Sequence, residues 1–186
     1  AWSGAVFDGK TYMIPTSQDV TIMIWYNVDV FNTLGLKVPK TWSEFLSVCA
    51  KIKAAGMTPL LMGNSDAWVA GNFVGLFLYR WAGEEKANDI LSLKPGTKFT
   101  DPDFVKAMQF AYDLGKLGYI NKDINTLEYE PSFARLFDGS AVMYPLGTWF
   151  KTEILEGLAP DPDKANFDFF NLPALEGGKG DQTSYM

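Results

Sequence analysis

The feature that most constrains this chain is the alternation of short apolar runs with helices that carry their own start signals. Residues 20–26 form an apolar run rich in β-branched and aromatic side chains, which predicts a buried strand. A helix is predicted after Thr41, because Thr41 can cap it and Glu44, three residues further on, completes a capping box. Strand and helix signals keep alternating along the chain, so we expect a layered α/β domain.

Other elements follow from apolar periodicity and from Gly and Pro breakers. Further strands are predicted at residues 11–14, 57–62, 141–144 and 167–172. Helices are predicted at residues 28–35, 42–56, 67–82, 84–93, 102–115, 130–137 and 147–157. The run at 57–62 is short and apolar, which favours a parallel sheet covered on both faces. The longest apolar stretch, 67–82, is too short for a membrane span, which needs roughly 20 apolar residues.

The composition excludes several classes of function. The chain has 186 residues, a formal net charge of -6 at pH 7 and no histidine. Its acidic balance argues against a nucleic-acid partner, because such partners are bound through Lys and Arg that neutralise phosphates. Without histidine, Ser-His and Cys-His nucleophile pairs and His-containing zinc sites are excluded within this chain. We therefore expect no metal or other cofactor, and we expect Cys49, which lies among apolar residues, to be a buried thiol.

Paired carboxylates leave an enzymatic alternative open. Close pairs of acidic residues occur at Glu84/Glu85, Asp101/Asp103, Glu128/Glu130 and Asp161/Asp163. A glycosidase places two carboxylates about 5–5.5 Å or 6.5–9.5 Å apart across one sugar ring, and a sequence does not give that separation. Asp101 is also explained as the cap of the helix that Pro102 begins. A glycosidase therefore stays an alternative, and a domain without a ligand is a third.

Two tryptophans are candidates for contact with a ligand. Trp68 and Trp149 each lie in the first turn of a predicted helix that follows a strand, whereas Trp42 and Trp81 fall on helix faces and are predicted core residues. Ligands of open α/β sheets collect at the carboxyl ends of the strands. A flat indole can stack on the apolar face of a pyranose while polar groups bind its hydroxyls. The pattern favours an uncharged, hydroxyl-rich ligand, with two buried wedges as the alternative.

Four motifs occur in a fixed order along most of the chain. They are D-G-K-x-Y-x-x-P at 8–15, Y-N at 26–27, P-x-T-W-x-E-F at 39–45, and an F-D-G…A-V-M run at 137–143 followed by G-x-W at 147–149. With them the chain resembles bacterial extracellular solute-binding proteins of the sugar-binding, maltose-binding-like class, which serve ABC importers.

The resemblance implies a fold, a partner and a location. The fold would be a periplasmic-binding-protein-like (type II) lobe, a helix/sheet/helix arrangement forming a single α/β lobe over 1–186. Residues 1–15 and 173–186 would lie near the hinge, and the first lobe and the C-terminal helices would be absent from this sequence. In such proteins two lobes close on a carbohydrate and deliver it to a membrane permease. An extracytoplasmic location is implied as well.

The resemblance also implies roles for individual residues. Trp149 corresponds to the sugar-stacking tryptophan, and Trp68 to a second aromatic platform beside it. Asp66 would accept hydrogen bonds from sugar hydroxyls. The remaining expected ligand contacts are Gln18, Asp19, Tyr129 and Glu130.

Overall fold

A computed structural model describes residues 5–14 and 19–183 of the chain. Its strands are β1 (Val6–Phe7), β2 (Lys10–Thr11), β3 (Met23–Asn27), β4 (Thr58–Leu60), β5 (Ala141–Leu146) and β6 (Phe167–Phe170). Its α-helices are α1 (Val28–Thr33), α2 (Trp42–Ala54), α3 (Trp68–Ala82), α4 (Glu84–Leu91), α5 (Pro102–Lys116), α6 (Tyr129–Phe137) and α7 (Glu156–Leu158). A π-helix, Phe150–Leu155, leads into α7, and a short 3-10 helix spans Pro162–Lys164. The alternation of strand and helix confirms the predicted α/β class.

The central sheet has four strands in the order β4-β5-β3-β6. Strand β4 pairs in parallel with β5, while β3 pairs antiparallel with both β5 and β6. The parallel pairing expected for the 57–62 run is therefore present between β4 and β5, whereas the other two pairings are antiparallel because β3 runs against its neighbours. The apolar run that forms β3 is buried as well, yet it is antiparallel to both neighbours, so such a run favours a parallel strand without fixing its direction. Every residue of β5 is buried, as expected for a strand at the centre of the sheet.

The capping box that the sequence predicts is present at the start of α2. The Thr41 side chain accepts a hydrogen bond from the Glu44 N–H, and the Glu44 carboxylate accepts one from the Thr41 N–H. The buried face of this helix includes Cys49, which has 0% exposure. Burial raises the pKa of the Cys49 thiol well above its usual range, so the predicted buried thiol is confirmed.

Helices cover the sheet through one continuous apolar core. Helix α3 packs on α5 and reaches β5, α2 contacts β4, and α6 contacts β5. Trp42 is buried against Phe45 and Phe77, which confirms it as a core residue. Trp81 is only partly buried, with its ring near Phe110. None of the helices in the described ranges has the length and apolar character needed to cross a membrane.

Two other local predictions differ from the structure. The strand expected at 11–14 is reduced to β2, which forms a short antiparallel ribbon with β1. Tyr12 to Ile14 follow it outside the assigned strand with exposed side chains, although the Tyr12 N–H still donates to the Ala5 carbonyl at 2.9 Å. The helix expected at 147–157 begins three residues later, as the π-helix. In the first case the exposed apolar side chains imitate a buried strand. In the second, residues 147–149 form the link between β5 and the π-helix.

Candidate functional site

The two candidate tryptophans meet at one edge of the sheet. Trp68 is the first residue of α3, which follows β4, and Trp149 comes directly after β5 and the Gly147-Thr148 link. Because β4 and β5 are parallel neighbours, their carboxyl ends lie at the same edge. The two indole ring centroids are 6.1 Å apart, with an angle of 51° between the planes. Both side chains are half-buried, so neither is sealed inside the core.

Tyr129 joins the two indoles into one unit. It is the first residue of α6, and its hydroxyl oxygen accepts a hydrogen bond of 2.9 Å from Nε1 of Trp149. Its ring lies 4.8 Å from the Trp68 ring, in an edge-on arrangement. We refer to Trp68, Tyr129 and Trp149 as the aromatic corner. Since the Trp149 N–H is bound to Tyr129, a ligand at this indole would have to contact its ring surface.

Gly147 gives the Trp149 indole the room it occupies. A Cβ added at position 147 would overlap the six-membered part of the Trp149 ring. The Gly147 carbonyl also accepts a hydrogen bond of 3.1 Å from Nε1 of the buried Trp25. Sequence reasoning placed Gly147 in a motif but gave it no role, because a Cβ overlap depends on how the ring folds back over the backbone.

Asp19 lies beside the corner, through its contact with Thr148. The Thr148 hydroxyl donates a hydrogen bond of 2.7 Å to Oδ1 of Asp19, and the Thr148 N–H donates to the Val20 carbonyl at 3.0 Å. These bonds hold residues 19–20 next to the segment that carries Trp149. The Asp19 carboxylate is exposed and keeps further lone pairs for donors from solvent or ligand. Gln18, the other polar contact expected here, lies outside the described residues.

The turn before α3 places Asp66 at the surface, two residues before Trp68. Ala67, which follows it, has a φ of 65° in the left-handed region that a residue with a Cβ adopts at a cost. Asn64 holds this turn, because its Oδ1 accepts a hydrogen bond from the Ala70 N–H at 2.9 Å and its carbonyl accepts one from Ala67 at 2.9 Å. Asn64 was not among the expected site residues. Its signal was a residue with capping chemistry ahead of an apolar helix.

Glu130 is the predicted residue with the weakest structural link to the corner. It follows Tyr129 in the first turn of α6 and is exposed. Within the described ranges it forms no hydrogen bond or ion pair with another side chain. A carboxylate at this end of a helix is favourable to the helix dipole, which accounts for Glu130 without a ligand.

Two of the paired carboxylates are held in ion pairs. Lys86 lies 2.9 Å from Asp101 and 2.7 Å from Asp103, and Lys179 lies 2.8 Å from Asp103. These lysines lower the pKa of both carboxyl groups. A general acid requires the opposite shift. In the part of the chain that the structure describes, no group of three or more acidic or cysteine side chains is placed to hold a metal ion.

Comparison with known proteins gives consistent results. The chain is 29% identical over 178 residues to the "Multiple sugar-binding protein" of Streptococcus mutans, a match that covers 92% of this chain and 40% of the relative. A solved structure described as "Chitin oligosaccharide binding protein" has 29% identity and a TM-score of 0.82, covering 97% of this chain and 44% of that one. A structure from work on xylan utilisation by the thermophilic bacterium Caldanaerobius polysaccharolyticus has 27% identity and a TM-score of 0.87, covering 100% of this chain and 46% of that one.

The chain thus spans less than half the length of the proteins it matches. Over that span the fold agrees, which confirms the type II periplasmic-binding-protein-like class. The family model described as "Bacterial extracellular solute-binding protein" matches residues 1–186. The extracytoplasmic location expected from the sequence is confirmed at the level of this family, which its description calls extracellular. The chain therefore belongs to the bacterial extracellular solute-binding protein family.

Proposed function

We propose that this chain is a carbohydrate-binding lobe of a receptor that serves an ABC importer. It would hold a sugar or oligosaccharide against the aromatic corner, opposite a second lobe, for delivery to a membrane permease. It would act by binding alone. The observation that carries the proposal is the aromatic corner itself: two half-buried indoles, 6.1 Å apart, at the carboxyl ends of two parallel strands.

The chemistry of the corner suits a sugar better than a charged or fully apolar ligand. The C–H faces of a pyranose pack on indole rings, and its hydroxyls need acceptors and donors nearby. The exposed Asp19 carboxylate, bonded to Thr148 next to Trp149, is one such acceptor. Asp66, exposed two residues before Trp68, is a second candidate acceptor. The relatives described as binding sugars support the same ligand class.

A glycosidase is the less supported alternative. The carboxylates at 101 and 103 are bound to lysines, and their pKa values are lowered. A glycosidase needs one carboxyl group that stays protonated near neutral pH. The matched family is one of solute-binding proteins, which favours a receptor.

The test uses the indole N–H signals of the ¹⁵N-labelled 186-residue chain. Xylobiose, chitobiose, maltose and raffinose are titrated separately. A bound sugar should shift the Trp68 and Trp149 signals, and leave that of Trp42, which is buried in the core against Phe45 and Phe77, unchanged.

The matched variants are Trp149→Ala and Trp81→Phe. The first should abolish the sugar-dependent shift of Trp68, while the second, at a partly buried tryptophan packed on Phe110, should retain it. If no sugar shifts either corner indole at any concentration up to the solubility limit, the proposed function is wrong. Release of sugar from a chromogenic glycoside would support the enzyme instead.

A further inference from the structure

A buried chain of hydrogen bonds lies behind the aromatic corner. The Gly63 N–H donates to the Tyr144 hydroxyl oxygen at 2.8 Å. The hydroxyl oxygens of Tyr144 and Ser132 lie 3.1 Å apart, and the Ser132 hydroxyl donates to the Tyr129 carbonyl at 2.5 Å. Tyr144 and Ser132 both have 0% exposure, so the two hydroxyls are removed from solvent.

Proton counting fixes the direction of the chain. A serine hydroxyl has one proton, and that of Ser132 goes to the Tyr129 carbonyl. The Tyr144 hydroxyl must therefore donate a hydrogen bond to the Ser132 oxygen. The Tyr144 oxygen in turn accepts a hydrogen bond from the Gly63 N–H. Burial raises the pKa of the Tyr144 phenol, which keeps this donor proton in place at neutral pH. Every hydroxyl proton in the chain is then used.

These hydrogen bonds connect the three segments that carry Trp68, Tyr129 and Trp149. Gly63 lies five residues before Trp68, and Tyr144 lies five residues before Trp149. Ser132 bonds to the backbone of Tyr129 itself. The segments are also in close approach, because a Cβ on Gly63 would lie 2.5 Å from the Glu128 carbonyl oxygen and 2.9 Å from Oγ of Ser132.

We infer that Tyr144 and Ser132 are positioning residues, which set the mutual placement of Trp68, Tyr129 and Trp149 through this hydrogen-bond chain. The inference rests on the proposed function for its ligand, since the corner is where the sugar would pack. Rings held in place before binding lose no side-chain freedom when the sugar arrives, so they bind it more tightly. Deleting the Tyr144 hydroxyl leaves the buried Gly63 N–H without its acceptor and frees the three segments to shift.

The experiment measures ring geometry first, because that readout needs no sugar. In the wild-type chain, nuclear Overhauser contacts should join the Trp149 Hε1 proton to the Tyr129 ring, and the Trp68 ring to the Tyr129 ring. In Tyr144→Phe and in Ser132→Ala these contacts should be lost or reduced. The control is Tyr79→Phe, which deletes a hydroxyl that donates to Asn88 near the other end of α3 and should leave the corner contacts unchanged.

Sugar affinity is the second readout, taken with whichever disaccharide shifts the wild-type indoles. Both positioning variants should bind it about fivefold more weakly, the equivalent of one net hydrogen bond. A purely structural role would lower the melting temperature but leave the affinity and the ring contacts of the folded variant at wild-type values, and that result would overturn the inference. Wild-type protein that binds no sugar refutes the proposed function, whereas intact corner contacts in both variants refute the positioning role.

A wild-type measurement covers the case in which both variants fail to fold. If the chain of bonds is as described, the Gly63 amide exchanges with solvent slowly, although it lies in a loop. Exchange at the rate of an exposed loop amide would mean that the Gly63–Tyr144 bond does not persist in solution, and the inference would fall.

Discussion

Gly147 decides where the indole of Trp149 can lie. The ring folds back over the Gly147 backbone, where the Cβ of any residue other than glycine would overlap it. The Tyr129 hydroxyl then holds the ring by its N–H. Gly147 therefore provides the space for the Trp149 ring, and the Tyr129 hydroxyl fixes the orientation of its N–H.

The first prediction concerns Gly147→Ala. The added methyl group must push the Trp149 ring aside, which should break the bond to Tyr129 and move the Trp149 indole N–H signal even without sugar. We expect sugar affinity to fall by about tenfold, as for a loss of roughly 1.4 kcal/mol of binding free energy. The measurement is a titration followed by the Trp68 indole signal.

Gly71→Ala is the matched control. Gly71 lies inside α3 with nothing within 4 Å of an added Cβ, so this change should raise the free energy of unfolding by roughly 0.5–1 kcal/mol. It should leave the Trp149 signal unchanged. If both variants behave alike, the crowding at Gly147 has no role in the site.

The residues of the candidate site differ in how far the sequence predicts their placement. Trp68 and Trp149 could be predicted because a strand end followed by a helix start fixes which edge of the sheet a residue occupies. Asn64 and Gly147 could not, since their roles depend on the turn before α3 and on a ring folded over a backbone. Tyr129 was expected as a ligand contact, and the structure adds a bond to Trp149 that gives it a supporting role as well.

At the scale of elements, the capping box that the sequence predicts is formed at the start of α2. Thr41 and Glu44 exchange hydrogen bonds, and Lys40 also donates its N–H to the Glu44 carboxylate at 2.7 Å. This cap sits at an isolated bridge between Thr41 and Ala174, so it also anchors the segment that follows β6.

The second prediction is therefore made for Thr41→Ala. The Glu44 N–H loses its acceptor at the helix start, and the free energy of unfolding should fall by about 1 kcal/mol. Chemical denaturation monitored by circular dichroism measures the change. Ser47→Ala, which removes only an exposed hydroxyl bonded to the Ser43 carbonyl, should have a smaller effect. Equal losses would mean that the capping box contributes little.

Asp103 ties three elements together. It lies in the first turn of α5, and it binds Lys86 of α4 and Lys179 of the loop beyond β6. Its side chain is 12% exposed, whereas the two lysine side chains are 41% and 60% exposed. The hydrogen bond from Lys179, followed by that from Lys86, lowers the pKa of the Asp103 carboxyl.

The third prediction follows from the sign of that shift. A carboxyl whose pKa is lower in the folded state stabilises the fold above its unfolded pKa of about 3.9, and this contribution is lost as the pH falls through the folded value. Asp103→Asn should therefore be less stable than wild type at pH 7, with a difference that shrinks below about pH 4. Thermal unfolding across this pH range tests it. A difference that is constant with pH would exclude the ion pairs as its source.

Element types were largely predictable, and their directions were not. Helices such as α2 and α5 could be predicted from the capping residues within one turn of their start. The mixed sheet could not be predicted, because whether β3 runs against β5 depends on the long path between them. The apolar residues from Tyr12 to Ile14 led to a strand prediction that is wrong, because their side chains are exposed in the structure.

At the scale of the whole molecule, the aromatic corner would contact a sugar from one side. Packing a pyranose on an indole buries roughly 100 Å² of apolar surface, which is worth about 2.5 kcal/mol. A micromolar dissociation constant requires about 8.2 kcal/mol. Small-ligand sites of that strength enclose most of the ligand surface, with polar groups placed around it. A sugar that packed on the half-buried rings of Trp68 and Trp149 would keep its far face in water.

The fourth prediction is that the 186-residue chain binds its sugar with a dissociation constant in the millimolar range or weaker. In the proposed site the corner would supply stacking and acceptors such as Asp19, and a sugar would gain no further contacts from a second, facing lobe. Isothermal titration calorimetry at high sugar concentration, with Trp149→Ala as the control for specific binding, measures the constant. A micromolar constant that Trp149→Ala abolishes would show that this chain alone encloses the ligand, because one stacking face cannot reach that free energy.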